Sequence, residues 1–214
     1  KYWVGDFDID RLTKELKKDL ETFKAIEKIL LSLSHTHDDK LAKLEQAISK
    51  INSDKKIIIF TEYADTAIYL NNYLRTKRDK AVVHGDIREG RTIERIVRMF
   101  SPNYNPPGVP PGESQINLLI STDILAEGMN LQDARVVINY DLHWNPTRLI
   151  QRIGRVDRLS REHMVVDVIN FLPAKKIEAK LNLEERLRAR IGEIHRVIGE
   201  DNRILHPDEQ LNEQ

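Results

Sequence analysis

Near the start of the chain the apolar positions recur every three or four residues. Leu12, Leu16, Leu20, Phe23, Ile26, Ile29, Leu30 and Leu33 follow the spacing of an amphipathic helix running from about Ile9 to Leu33. The polar stretch "SHTHDD" interrupts it. Leu41, Leu44, Ala47, Ile48 and Ile51 then predict a second helix over 40–51. After "NSDKK" the pattern changes to "IIIF", a continuous apolar run of the kind that a strand buried on both faces produces. Strands and helices alternate from there: helix over Ala64 to Leu74, strand at "AVVH", helix over Arg91 to Phe100, strands at "INLLIST" and "RVVINYD", helix from Pro146 to about Arg155, strand at "MVVDVINF". That alternation predicts an α/β fold with a parallel sheet and helices on both faces. Ala174 to Val197 reads as one long helix rich in Glu, Arg and Lys, followed by a polar tail.

Composition narrows this picture. A chain of 214 residues, 40% hydrophobic and 32% charged, can bury one good core and is too short for two full α/β domains. The expected organisation is a helical lead-in over 1–54, an α/β lobe over 55–173, and a C-terminal brace helix with its tail over 174–214. Residues Ser101 to Gly112, "SPNYNPPGVPPG", hold five prolines and two glycines in twelve positions, which predicts a surface loop and leaves disorder open. The two amphipathic flanks are expected to pack on the lobe or on each other, since an apolar helical face needs a partner.

Charge matters locally rather than globally. Lys+Arg and Asp+Glu both number 34, so the chain as a whole exerts no net pull on a polyanion. Between Arg148 and Arg161, however, five arginines accompany a single aspartate, Asp157, whereas the last fifteen residues from Glu200 hold five acids and one arginine. The absence of cysteine excludes a disulfide framework and thiolate zinc sites. No apolar run reaches membrane-spanning length and the first residues lack a signal-peptide core, so a soluble, cytoplasmic protein is expected. His35 and His37 lie two apart in a polar turn without further ligands; they read as loop residues, and no metal site is expected.

In a parallel α/β sheet the loops leaving the strands line one edge, where ligands bind. Those loops begin here with Thr61-Glu62-Tyr63, His84-Gly85-Asp86, Ser121-Thr122-Asp123 and Asp141-Leu142-His143-Trp144-Asn145-Pro146. Hydroxyls, a flexible glycine and aromatic plates suit phosphate binding and base stacking. Each has an ordinary reading too: Asp123 and Asn145 as helix caps, Trp144 as core.

Taken in order, "KIIIFTEYADT", "VVHGDI", "LLISTDILAEGMNLQDARVVINYDLHWNP" and "QRIGRVDR" resemble the second RecA-like lobe of superfamily-two helicases, from motif four to motif six, over roughly Lys55 to Phe171. The wording of "AEGMNLQDA" and "DLHWNP" is most similar to the Swi/Snf group of double-strand DNA translocases, and within it to the bacterial branch that contains the RNA-polymerase-recycling type. The lead-in "DDKLAKLEQAI" resembles the helix that precedes motif four there. The stretch "IREGRTIER" is spaced differently from the usual form, and no contacts are carried over to its arginines.

The resemblance implies that nucleotide lies between this lobe and a first lobe, and that arginines from this lobe reach the phosphates. Arg155 and Arg158 would be those fingers, the forked and permanently charged guanidinium being suited to charge developing on a transferred phosphoryl group. Gln151 and Arg152 would bind across the cleft, and Gly154 would permit close approach of backbone to nucleotide or to a neighbouring strand. Thr122 and Asp123, with Gly128 and Asn130, would form the motif-five turn that touches the nucleic-acid backbone and couples it to the nucleotide, Thr122 on the nucleic-acid side and Asp123 and Gly128 on the nucleotide. Tyr63, His84, Gly85, Trp144 and Asn145 are candidates for the nucleic-acid face.

There is no G-x-x-x-x-G-K-[ST] and no acidic strand end for magnesium, so ATP and magnesium would be held mainly by an N-terminal RecA-like lobe of the same protein. These 214 residues are accordingly expected to hydrolyse no ATP alone. Two other readings remain: a non-catalytic α/β module whose arginine helix docks on an acidic protein, and a lobe of an RNA helicase.

Overall fold

The computed structural model describes residues 8–32, 38–87, 90–126, 129–157, 165–173, 182 and 185–189. Among the described residues the elements follow the order α1 (Ile9–Ser32), α2 (Asp39–Lys50), β1 (Lys56–Phe60), α3 (Ala64–Tyr73), β2 (Lys80–Val83), α4 (Gly90–Phe100), β3 (Leu118–Ser121), β4 (Ala134–Asn139), α5 (Pro146–Val156) and β5 (Asp167–Asn170). A short 3-10 turn, Asp123–Ala126, follows β3. The strands form one parallel sheet in the order β2-β3-β1-β4-β5. β1 is central: Ile58 pairs with Leu119 on one side and Val137 on the other. Its run Ile57–Phe60 is fully buried, as a strand covered on both faces must be.

Alternation along the strands divides the core. Ile58 and Phe60, with Leu119 and Val137, join a cluster completed by Ile93, Val97 and Phe100 of α4 and by Val156 of α5. α3 lies against β2 and β3, and its buried Ala67 and Leu70 are outside that cluster. The sheet is the expected RecA-like arrangement.

The chain divides into two compact units, Lys1–Gln46 and Ala47–Gln214. In the first, α1 buries none of its residues. Leu16, Phe23 and Ile29 are 58%, 68% and 62% exposed, and the other flank expected to pack with this stripe, 174–197, lies mostly outside the described residues. α2 does bury one face, through Leu41, Leu44 and Ile48. Of the C-terminal brace only 182 and 185–189 are described: 185–189 is helical, with Leu187 buried, but Asn182 is not helical and has a φ of 47°, so the single helix expected from Ala174 to Val197 is interrupted there.

Two loops are held in place by side-chain hydrogen bonds. Arg78, just before β2, donates to the carbonyls of Ile51, Asn52, Ser53 and Lys55 at 2.8–3.3 Å and so ties down the turn that leads into β1. The proline-rich stretch lies on the surface but is fixed there: Ser101 and Gly108 are buried, and its asparagines bond to the 130–133 turn. Its amide side chains, more than its prolines, set its place.

Candidate functional site

The C-terminal ends of β1, β3 and β4 meet in a polar network that the α5 helix closes. α5 starts at Asn145, whose side chain accepts from the Thr147 N–H at 3.0 Å, with Pro146 in the first turn; this is ordinary N-cap chemistry. Leu149, Arg152 and Val156 are its buried face, while Thr147, Gln151 and Gly154 are exposed. An arginine therefore occupies a core position.

Arg152 has no exposed surface. Its Nε donates to Asp123 at 2.5 Å, and Nη1 donates to the Asn139 side chain at 3.0 Å and to the Asp141 carbonyl at 3.2 Å. The guanidinium also lies 5.3 Å from the Phe60 ring centroid, within cation–π range. Nη2 finds no partner among the described residues. Asp123 accepts a second cation, Arg148, at 3.0 Å. Breaking such a buried pair leaves an uncompensated charge, so the pair fixes α5 against β3 and β4.

The network extends along the edge. Asp141 accepts from the Thr61 hydroxyl and, at 3.4 Å, from the Glu62 N–H. Asn139 passes its amide to Asn170 of β5 at 2.8 Å. His143 is buried, with Nδ1 accepting from the Asn145 N–H at 2.8 Å and Nε2 3.8 Å from Glu62. Its ring stacks on Trp144, centroids 5.4 Å apart, and Trp144 itself is 61% exposed.

These positions revise several expectations. Arg152, assigned above to the cleft, is a strut inside the lobe, because the period of α5 puts it in line with Leu149 and Val156. Asp123, assigned to nucleotide, is bracketed by two arginines. Among the described residues nothing approaches Gly154, since a Cβ there would meet no atom within 4 Å, and no described strand comes close to it. Thr122 is buried, its N–H on the Val83 carbonyl. Trp144 is not core, and Asn145 is a cap. Tyr63 is 62% exposed at the start of α3, Gly85 is exposed, and His84 is half-buried with Nδ1 3.5 Å from Asp86. Gln151 is exposed and Arg155 half-buried. Asn130 donates to the Tyr104 carbonyl at 3.4 Å. Arg158, Gly128, His35 and His37 lie outside the described residues.

Asn139 and Arg148 belong to the network and were not foreseen. The signal for Asn139 was its place as a polar residue closing the apolar run "RVVIN"; Arg148 had none beyond its charge. Among the described residues no group of three or more His, Asp or Glu could hold a metal ion, and no helix is long and apolar enough to cross a membrane.

Residues 39–160, more than half of the chain, match the family model for the helicase conserved C-terminal domain. The chain belongs to this family. An uncharacterized ATP-dependent helicase of Bacillus subtilis, YqhH, is 35% identical over 79% of this chain and 28% of its own length. The ATP-dependent RNA helicase eIF4A of Lodderomyces elongisporus is 30% identical over 86% of this chain and 42% of its own. The helicase C-terminal lobe thus spans about a quarter of the length of the first curated relatives it matches. In fold it resembles the C-terminal domain of the DEAD-box protein Dbp5, with a TM-score of 0.53 and 23% identity over 72% of this chain and 79% of that one. It also resembles the C-terminal part of the Fun30 ATPase domain, with a TM-score of 0.51 and 20% identity over 77% and 53%.

Proposed function

We propose that this lobe completes the nucleotide site of an ATP-dependent DNA translocase of the Swi/Snf type, by supplying arginines to phosphates held on a separate N-terminal lobe of the same protein. The observation that carries the proposal is the anchoring of α5. With Arg152 locked to Asp123 and Asn139, the helix holds Gln151, Gly154 and Arg155 in fixed register. A preorganised cation of this kind stabilises charge that develops during reaction without reorganising when it does so. The open space over Gly154 suits the approach of a second surface.

The residues fit the phosphates of ATP but not magnesium. Arg155, and Arg158 by its place in "QRIGRVDR", are forked donors for phosphate oxygens; the sequence holds no G-x-x-x-x-G-K-[ST] cradle, and among the described residues there is no carboxylate cluster for the ion. ATP supplies the phosphoryl group, and this lobe contributes positioning and charge. Residues 55–173 would form the working lobe, 1–54 its lead-in and 174–214 a brace. The turn around Asn130 and exposed Tyr63, Gly85 and Trp144 would face nucleic acid, with His84 beside them.

The DNA reading rests on the wording of "AEGMNLQDA" and "DLHWNP". A second reading, an RNA helicase lobe, is favoured by the names of most of the curated relatives. ATP hydrolysis by the intact protein, measured with duplex DNA, single-stranded DNA and RNA, separates them: duplex DNA is expected to stimulate most, and preferential stimulation by RNA would overturn the DNA assignment. These 214 residues alone are expected to hydrolyse no ATP. A non-catalytic docking module would show no stimulation by any nucleic acid.

A further inference from the structure

We infer that the proline-rich loop Ser101–Gly112 braces the arginine helix, with Asn105 as the positioning residue that fixes the main chain at Arg155. The catalytic consequence rests on the reading of Arg155 as a phosphate contact; the brace itself rests on geometry.

One amide nitrogen of Asn105 donates to two carbonyls, that of Ser101 within its own loop at 2.7 Å and that of Asn130 at 2.8 Å. Facing two acceptors, it must be the NH2 end of the amide, so chemistry settles the orientation. The peptide group that carries the Asn130 carbonyl also carries the Leu131 N–H, which donates to the Arg155 carbonyl at 3.2 Å. Carbonyl and N–H of a trans peptide point in opposite directions across a rigid plane. A single flat unit therefore joins the loop on one side to α5 on the other.

Arg155 is the penultimate residue of α5, where helix carbonyls lack an intrahelical donor. The Leu131 N–H provides one from outside. The loop is held to the same turn by further bonds: the Asn103 N–H and amide donate to Asp133 at 3.0 and 2.9 Å, the Asp133 N–H donates to the Ser101 hydroxyl at 3.2 Å, and the Asn130 amide donates to the Tyr104 carbonyl at 3.4 Å. Ser101 and Leu131 are buried, so rotation of the Asn130–Leu131 peptide would break bonds on both of its sides. The turn lies in the stretch that resembles motif five, and the loop thus sets how that turn meets the arginine helix.

Misplacing a reacting group by about 1 Å can cost on the order of 100-fold in rate, so loss of the brace is expected to appear in kcat. Asn105→Asp keeps the side-chain shape but sets acceptors against two carbonyls; Asn105→Ala removes the donors without adding charge and serves if the first variant does not fold. In the intact protein with its stimulating nucleic acid, either variant is expected to lower kcat about tenfold or more, with a much smaller change in KM for ATP. Combined with Arg155→Ala, the total loss is expected to stay within about threefold of that of Arg155→Ala alone, because the two act through one group. Amide exchange at Leu131 is expected to accelerate. Normal kcat in a folded variant, or losses that multiply with that of Arg155→Ala, would overturn the positioning role, and unchanged protection at Leu131 would overturn the brace. Normal turnover of Arg155→Ala itself would overturn only the phosphate reading, while faster exchange at Leu131 in Asn105→Asp would still support the brace.

Discussion

Arg78 and Arg152 lie at opposite edges of one parallel sheet and are held by different chemistry. Arg78, at the edge where β1 and β2 begin, gives both terminal nitrogens to main-chain carbonyls and meets no carboxylate at hydrogen-bond distance in this turn. Burial lowers its pKa below the usual guanidinium value, and Asp54 works against that shift. Arg152, at the edge where strands end, is completely enclosed and paired with Asp123. A cation on neutral carbonyls ties a turn in place and can exchange its partners for water. A cation sealed against a carboxylate cannot, so the second arrangement commits the surrounding elements to a single geometry. That commitment belongs at the edge where the arginine helix must hold its register.

The comparison breaks most sharply at Arg152. Arg152→Ala leaves Asp123 facing a cavity with only Arg148 to pair with; because Asp123 keeps some exposure, a loss of about 3 kcal/mol is expected, the low end of the range for opening a buried pair. Urea denaturation of the lobe would measure it, and a loss under about 1 kcal/mol would show that water replaces the pair.

That arginine also marks where the sequence stopped being legible. The strands were visible in "IIIF", "INLLIST" and "RVVINYD", since buried parallel strands read as unbroken apolar runs, and the bounds of α1 to α5 fell within a residue or two of those expected. The strand order was not, because alternation specifies parallel crossovers without saying which strand is central. In α5 the resemblance assigned Arg152 to the cleft, yet the spacing of Leu149, Arg152 and Val156 already placed its guanidinium inward. The loop at Ser101–Gly112 was readable as a loop from its prolines. Its fixation was not, because that depends on amides meeting residues some 25 to 32 positions away. For α1, the apolar period predicted the helix and its bounds.

Smaller effects sharpen the contrast. Arg78→Ala is expected to cost only about 1–2 kcal/mol, since the freed carbonyls lie in a turn that water reaches, and Arg78→Lys should recover part of that because an ammonium keeps three donors. A cost equal to that of Arg152→Ala would erase the distinction. Gly154→Ala should stabilise the lobe by about 0.5–1 kcal/mol, as alanine replaces glycine in a helix with open space around it, while lowering turnover of the intact protein if a second surface closes over that position. Thermal melting of the lobe beside ATPase rates of the whole protein tests both halves.

The most direct test of the central claim is the turnover of Arg155→Ala in the intact protein, with nucleotide affinity measured alongside. An arginine aimed at transition-state charge is worth on the order of 10³ to 10⁵ in rate and adds comparatively little to ground-state binding. The predicted result is a steep fall in kcat with ATP affinity nearly kept, and no full rescue by Arg155→Lys, because a point charge does not reproduce the fork. Near-normal turnover in a folded Arg155→Ala protein would contradict the account.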